Sequence, residues 1–87
     1  MVQVIAKFDA RDELIDAPDD LIYSVAMLSR KDANYDEVFS IDVYYKKGMF
    51  QYKFGDSNLT TNPAEAFTAY TQLLTTIEAN IKFAKTR

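Results

Sequence analysis

The sequence predicts an α+β fold, in which an antiparallel β-meander of three or four strands packs against a long C-terminal α-helix. Residues 38–54 alternate apolar and polar side chains with the period of two that strands require. Residues 62–84 instead place apolar side chains every three or four positions, as one face of a helix does. Because 87 residues are few for two separate cores, we expect residues 1–87 to form a single domain.

The strand pattern predicts a hairpin whose register follows from its side chains. A two-residue turn at Lys47-Gly48 places Val43 opposite Tyr52 on the apolar face and Asp42 opposite Lys53 on the other face. All the large apolar side chains then share one face, and a cross-strand ion pair lies on the opposite face. We therefore expect the apolar face to pack on the core.

Two segments before this hairpin fit either a strand or a helix. Residues 2–8 alternate like a strand, but they could also begin a helix that runs to about Asp16. We favour a strand followed by a short helical turn. Residues 21–30 carry helix-terminal charges, yet pairing Leu28 with Phe39 aligns them with the next strand and extends the meander. We favour the strand here too.

The proposed pairing also predicts an outer face of the sheet. With Leu28 opposite Phe39, Tyr23 lies opposite Tyr44 on the face away from the helix, and Val25 and Met27 share that face. Exposed aromatic side chains beside methionine are typical of binding surfaces. Tyr23 and Tyr44 are therefore candidate partner-binding residues, unless an N-terminal helix covers this face.

The C-terminal helix has the clearest local start signal in the chain. Asn62 suits the N-cap, Pro63 the first helical position, and Glu65 the third position after the cap. A helix to about residue 84 would be roughly 33 Å long at 1.5 Å per residue. Its apolar positions predict one buried stripe, namely Phe67, Tyr70, Leu74, Ile77, Ile81 and Ala84, widened by Leu73.

Composition excludes the commonest catalytic and metal-binding chemistry. The chain has no His and no Cys, which removes the usual general base, the thiol nucleophile and zinc sites of the common kinds. No phosphate-binding Gly-rich loop is present, and no apolar run suggests a signal peptide or a membrane span. We expect a cytoplasmic, non-enzymatic protein without cofactor, metal or membrane contact.

Charge divides unevenly along the chain. Residues 1–42 carry ten acids and four bases, whereas residues 43–87 carry three acids and six bases. The acids concentrate in residues 9–20, which we call the acidic segment and in which Arg11 is the one base. Its carboxylates are candidate partner-binding groups: Asp9, Asp12, Glu13, Asp16, Asp19 and Asp20. Their spacing, without Gly, does not fit a calcium loop, and a merely solvated surface is the competing interpretation.

These features favour a small acidic interaction protein that binds and inhibits or modulates a larger macromolecule. Its partner would be a protein, for instance a nucleic-acid-binding protein with a basic surface. One alternative is a self-associating structural or accessory protein, such as a homodimer in which the acidic and basic halves pair. Another is weak nucleic-acid binding through Lys46, Lys47, Lys53 and the basic C-terminus.

Two resemblances bear on these hypotheses. If residues 2–16 were helical, the order helix, three strands, helix would resemble that of double-stranded RNA-binding domains. The basic cluster that begins the last helix in those domains is replaced by Asn62-Pro-Ala-Glu65, so no function is carried over. In composition the chain is similar to phage proteins that inhibit host defence or nucleic-acid enzymes.

Overall fold

The computed structural model describes residues 2–86 and shows the predicted α+β fold. Four strands form one antiparallel sheet in the chain order β1-β2-β3-β4, which is a meander. One long helix follows the sheet. The elements are β1 (Gln3–Asp9), a 3₁₀ turn (Arg11–Leu14), β2 (Ile22–Lys31), β3 (Glu37–Tyr45), β4 (Gly48–Gln51) and α1 (Pro63–Lys85).

Both ambiguous segments form strands, as favoured. β1 is followed by a single 3₁₀ turn in which Leu14 is buried, and β2 runs for ten residues. The helical alternatives are therefore wrong. The element order differs from that of double-stranded RNA-binding domains, because the first element is a strand.

The core lies between one face of the sheet and α1, which packs mainly on β2 and β3. The 3₁₀ turn closes one end of this layer through Leu14. The sheet and the helix supply most of the buried side chains: Val25, Met27, Phe39, Ile41, Val43, Ala66, Ala69, Tyr70 and Ile77.

The helix begins as predicted, and its buried stripe follows the prediction except at Phe67. The Asn62 side-chain oxygen accepts hydrogen bonds from the amides of Ala64 and Glu65, at 2.9 and 3.4 Å. Ile77 is completely buried, whereas Phe67, predicted to be buried, is 61% exposed. The other predicted positions face the core, together with Ala66 and Ala69: Tyr70 and Ile77 are buried, and Leu73, Leu74, Ile81 and Ala84 are partly buried. Small side chains let the helix approach the sheet closely, which leaves Phe67 on a flank.

A β-bulge overturns the predicted faces of β2. Ile22 lies opposite Tyr45 as expected, but one extra residue before Ser24 shifts the rest of the strand by one position. A shift of one residue exchanges the two faces of a strand. Val25 and Met27, predicted on the outer face, are therefore core residues that are 0% and 5% exposed.

The β3–β4 hairpin keeps its predicted faces but not its predicted register. The turn is Lys46-Lys47, so Val43 lies opposite Phe50 and not opposite Tyr52. Gly48, predicted in the turn, is the first residue of β4. A shift of two residues leaves the same side chains on the same face.

The same shift replaces the predicted ion pair on the other face of the hairpin. Asp42 lies opposite Gln51, not Lys53. The Gln51 Nε2 group donates a hydrogen bond to Asp42 Oδ1 at 3.3 Å. A neutral partner therefore occupies the position that the sequence assigned to a lysine.

Candidate functional site

The acidic segment forms an ordered surface at one end of the sheet. It leaves β1 at Asp9, passes through the 3₁₀ turn and returns to β2. Ala10, Leu14 and Ala17 are buried in the core cluster, while all six predicted carboxylates are exposed. The buried side chains fix the backbone of the segment, and the acidic side chains between them point outward into solvent.

The tip of the β3–β4 hairpin holds this segment in place. The Lys46 ammonium donates hydrogen bonds to the backbone carbonyls of Ile15 and Ala17, at 2.7 and 2.5 Å. Lys47 lies 3.7 Å from the Asp19 carboxylate, in a pair whose side chains are 74% and 56% exposed. An exposed pair of this kind contributes little, so Lys46 is the main connection between the hairpin and the acidic segment.

The single base of the acidic segment points away from its acids. Asp9 Oδ1 accepts a hydrogen bond from the Arg11 amide at 2.8 Å, which begins the 3₁₀ turn. The Arg11 guanidinium lies 5.5 Å from the centre of the Tyr23 ring, a cation–π arrangement. Arg11 forms no ion pair with an acid among residues 2–86.

Four of the carboxylates have no partner within residues 2–86. The side-chain carboxylates of Asp12, Glu13, Asp16 and Asp20 form neither a hydrogen bond nor an ion pair with the described residues. The first three line an open groove of about 460 Å³ beside Lys85, at the end of α1. Within the same residues, no group of three or more acids is arranged to hold a metal ion.

The two predicted tyrosines lie in different environments. Tyr23 is half-buried at the β2 bulge, where its ring packs against the core cluster. Tyr44 remains on the outer face, but Ser24 lies opposite it. The predicted pair of neighbouring outer tyrosines is therefore wrong, and Tyr23 joins the acidic segment through Arg11.

The outer face of the sheet is not covered by α1 or by the 3₁₀ turn, both of which pack into the core cluster. Ala26 and Val38 are 5% and 6% exposed, yet neither belongs to that cluster. Their neighbours Leu28 and Tyr44 are half-buried on the same face. The outer face thus has a small, partly apolar centre.

Sequence reasoning missed two features. The carbonyl contacts of Lys46 join positions some 30 residues apart, and no local pattern signals them.

The second feature is the backbone of Tyr35, an exposed loop residue with a φ of 65°, which is left-handed backbone that few tyrosines adopt. The Asp32 carboxylate supports this loop by accepting hydrogen bonds from the amides of Asn34 and Asp36. An Asp at the start of a polar loop is a recognisable signal for such a turn.

Tyr70 is the buried titratable side chain of the helix. Desolvation by burial raises its pKa above the ordinary value of 10.0. The phenol packs in the core cluster. Its shifted pKa therefore reflects packing.

Comparison with known proteins finds no relative. No protein-family model matches the chain, no curated protein matches it, and no solved structure matches its fold. Among the described residues, no helix is long and apolar enough to cross a membrane.

Proposed function

We propose that this protein is a small non-catalytic interaction protein that binds, and thereby inhibits or modulates, a larger macromolecule through its acidic segment. The partner surface is basic, as on many nucleic-acid-binding proteins. An inhibitor of the kind that phages direct against host defence or nucleic-acid enzymes is the form of this function that the composition favours.

The observation that carries the proposal is an ordered backbone beneath unpaired carboxylates. Within the segment, the Leu14 side chain is buried in the core, and the Lys46 ammonium donates hydrogen bonds to two of the segment's backbone carbonyls. Asp12, Glu13 and Asp16 are left without partners among the described residues. Charges already held in place lose less conformational entropy on binding than charges on a flexible loop.

The same contacts weigh against direct nucleic-acid binding at the hairpin tip. Lys46 bonds backbone carbonyls, and Lys47 faces Asp19. Lys85 lies beside the acids of the groove. A phosphate backbone approaching these lysines would meet the acidic segment as well, and repulsion would offset the attraction.

The test is simultaneous charge reversal at Asp12, Glu13 and Asp16, each to Lys. The control reverses three exposed acids elsewhere and changes the net charge equally: Asp36, Asp56 and Glu78. Immobilised wild-type protein identifies a partner in lysate of the source organism. The dissociation constant of that partner is then measured for all three proteins at about 50 and about 300 mM salt.

We expect the acidic-segment variant to bind more weakly and to show a flatter salt dependence, while the control binds like the wild type. Both variants should fold, because exposed substitutions usually change stability by no more than about 0.5 kcal/mol each. Equal dissociation constants and equal salt slopes for the three proteins would refute docking through this segment.

A further inference from the structure

We infer that the outer face of the sheet is the interface of a symmetric homodimer, in which two copies pack face to face with Lys7 of each copy beside Asp42 of the other. This interface includes Asp9 but none of the carboxylates of Asp12, Glu13 and Asp16 on which the proposed function is tested, so the inference does not depend on the proposed function. It rests on the strand registers, the burial on the outer face and the positions of its charges.

The registers place opposite charges symmetrically about one residue. Lys7 of β1 lies opposite Ala26 of β2, and Ala26 lies opposite Asp42 of β3. Lys7 is on the outer face because its neighbour Phe8 packs against the core. The lysine and the aspartate therefore flank Ala26 on one face, each about 4.8 Å away across the sheet.

This arrangement is self-complementary under one particular symmetry. A two-fold axis that runs along β2, in the plane between two facing sheets, places β1 of one copy over β3 of the other. Lys7 of each copy then faces Asp42 of its mate, and Ala26 meets its own equivalent. An axis perpendicular to the strands would instead place Lys7 over Lys7 and Asp42 over Asp42, so these two charges favour the first arrangement.

The usual twist between packed sheets preserves this pairing. Facing sheets cross at about 30°, which at one strand spacing from the axis moves the paired charges by only about 2.5 Å. Packed sheets lie about 10 Å apart, a gap that a lysine and an aspartate side chain span together. Lys7 forms no ion pair with any residue in the described part of the chain, so its charge is available for this contact.

The rows next to Ala26 are compatible with the same axis, whereas Arg30, near the end of β2, meets its own equivalent at the exposed end of the face. Asp9, Ser24 and Tyr44 form the next row across the sheet, so Asp9 of one copy faces Tyr44 of the other. A tyrosine hydroxyl can donate a hydrogen bond to that carboxylate. On the other side, Leu28 lies on the axis and meets its own equivalent, which covers the apolar centre of the face.

Pairing through the open edge of β1 is the competing mode of self-association, and two features of the strand disfavour it. β1 carries a bulge between Val4 and Ala6 and an exposed lysine at Lys7. Bulges and lysines are the features with which edge strands avoid pairing with one another. The broad face is therefore the better surface for a second copy.

The size of the face predicts a weak dimer. Four strands about 4.8 Å apart and about 20 Å of strand length give a flat area of roughly 400 Å² per copy. Stable interfaces bury about 800 Å² per partner. We therefore expect a dimer that dissociates in the micromolar range and weakens with added salt.

Charge reversal and charge exchange test the pairing directly. The variants are Lys7→Glu, Asp42→Lys and the double exchange, and the measurement is molar mass by sedimentation equilibrium from about 10 μM to about 1 mM. Lys82→Glu and Glu78→Lys, at exposed positions of α1, are matched controls for the two charge changes. Circular dichroism melts verify that every variant folds.

We expect each single variant to raise the dissociation constant at least tenfold and the double exchange to restore it to within about threefold of the wild type. The two helix controls should dimerise like the wild type. A wild type that stays monomeric at the highest concentration overturns the inference. The inference is also overturned if neither outer-face reversal changes the dissociation constant of the dimer. It is equally overturned if the double exchange does not restore that constant toward the wild-type value.

Discussion

Replacing Lys46 with methionine should loosen the acidic segment, because its ammonium forms the hydrogen bonds that join that segment to the β3–β4 hairpin. The group donates to two backbone carbonyls, those of Ile15 and Ala17. Methionine keeps the length and the apolar stem of the lysine, so the change removes the donors and little else. Lys47→Met is the matched control on the same turn.

The expected loss follows from the number and exposure of these bonds. A hydrogen bond from a charged group contributes about 1.5–3 kcal/mol, but the Lys46 side chain is exposed and water competes for it. The methionine in the variant is not held by hydrogen bonds, so it keeps rotamer entropy that the bonded lysine loses, which reduces the net loss of stability. Two partly solvated bonds then leave a net loss of about 1–2 kcal/mol for Lys46→Met. Lys47→Met, which removes the exposed Lys47–Asp19 pair, should lower the free energy of unfolding by no more than about 0.5 kcal/mol.

Two measurements distinguish these outcomes. Urea unfolding compares the free energies of unfolding of the two variants with that of the wild type. Amide exchange reports the segment itself, because the Ala17 amide donates to the Leu14 carbonyl at 3.1 Å within it. We expect faster exchange at Ala17 in Lys46→Met alone.

Equal behaviour of the two variants would refute this account. Lys46→Met and Lys47→Met could lower the free energy of unfolding equally, or Lys46→Met could leave the Ala17 amide fully protected from exchange. In either case the burial of Leu14 is sufficient to hold the segment. The proposed function would then lose the part of its support that depends on Lys46.

Two further predictions concern the helix. Ile77→Ala should lower the free energy of unfolding by about 2–5 kcal/mol because the side chain is completely buried, whereas Phe67→Ala, at an exposed position, should cost less than about 1 kcal/mol; similar costs in urea melts would mean that the buried stripe is misplaced. Burial raises the pKa of Tyr70, so the folded state keeps a proton that the unfolded state loses near pH 10.0. This contribution to stability is complete below pH 10 and is lost as the pH rises through the folded pKa. Tyr70→Phe should therefore lose less stability above pH 10 than the wild type does, and parallel pH profiles would contradict the assignment.

The elements of the fold were predictable because their signals are local. Asn62, followed by Pro63, begins the helix through bonds to nearby amides, which require only a short stretch of chain. The strands β1 and β3 follow from alternation over seven and nine residues, and β2 follows from its pairing with β3. The meander follows because consecutive strands joined by short loops pair with each other.

The faces of β2 could not be predicted, because both of its faces are apolar in sequence. Ile22, Ala26 and Leu28 alternate with Val25 and Met27, so the pattern fits either face toward the core. The bulge before Ser24 decides between them, and it depends on how the whole strand packs under α1. One extra residue moved Val25 and Met27, two members of the predicted outer patch, into the core.

The candidate site divides in the same way. The sequence by itself determined which groups are charged, and it placed the acids of residues 9–20 on the surface, because carboxylates without partners stay in water. Only the tertiary structure decided that Lys46 holds this segment, that Arg11 turns toward Tyr23, and that Lys7 and Asp42 flank Ala26. Each of these relations joins residues distant in the chain, and their positions depend on strand registers that a shift of one residue reverses.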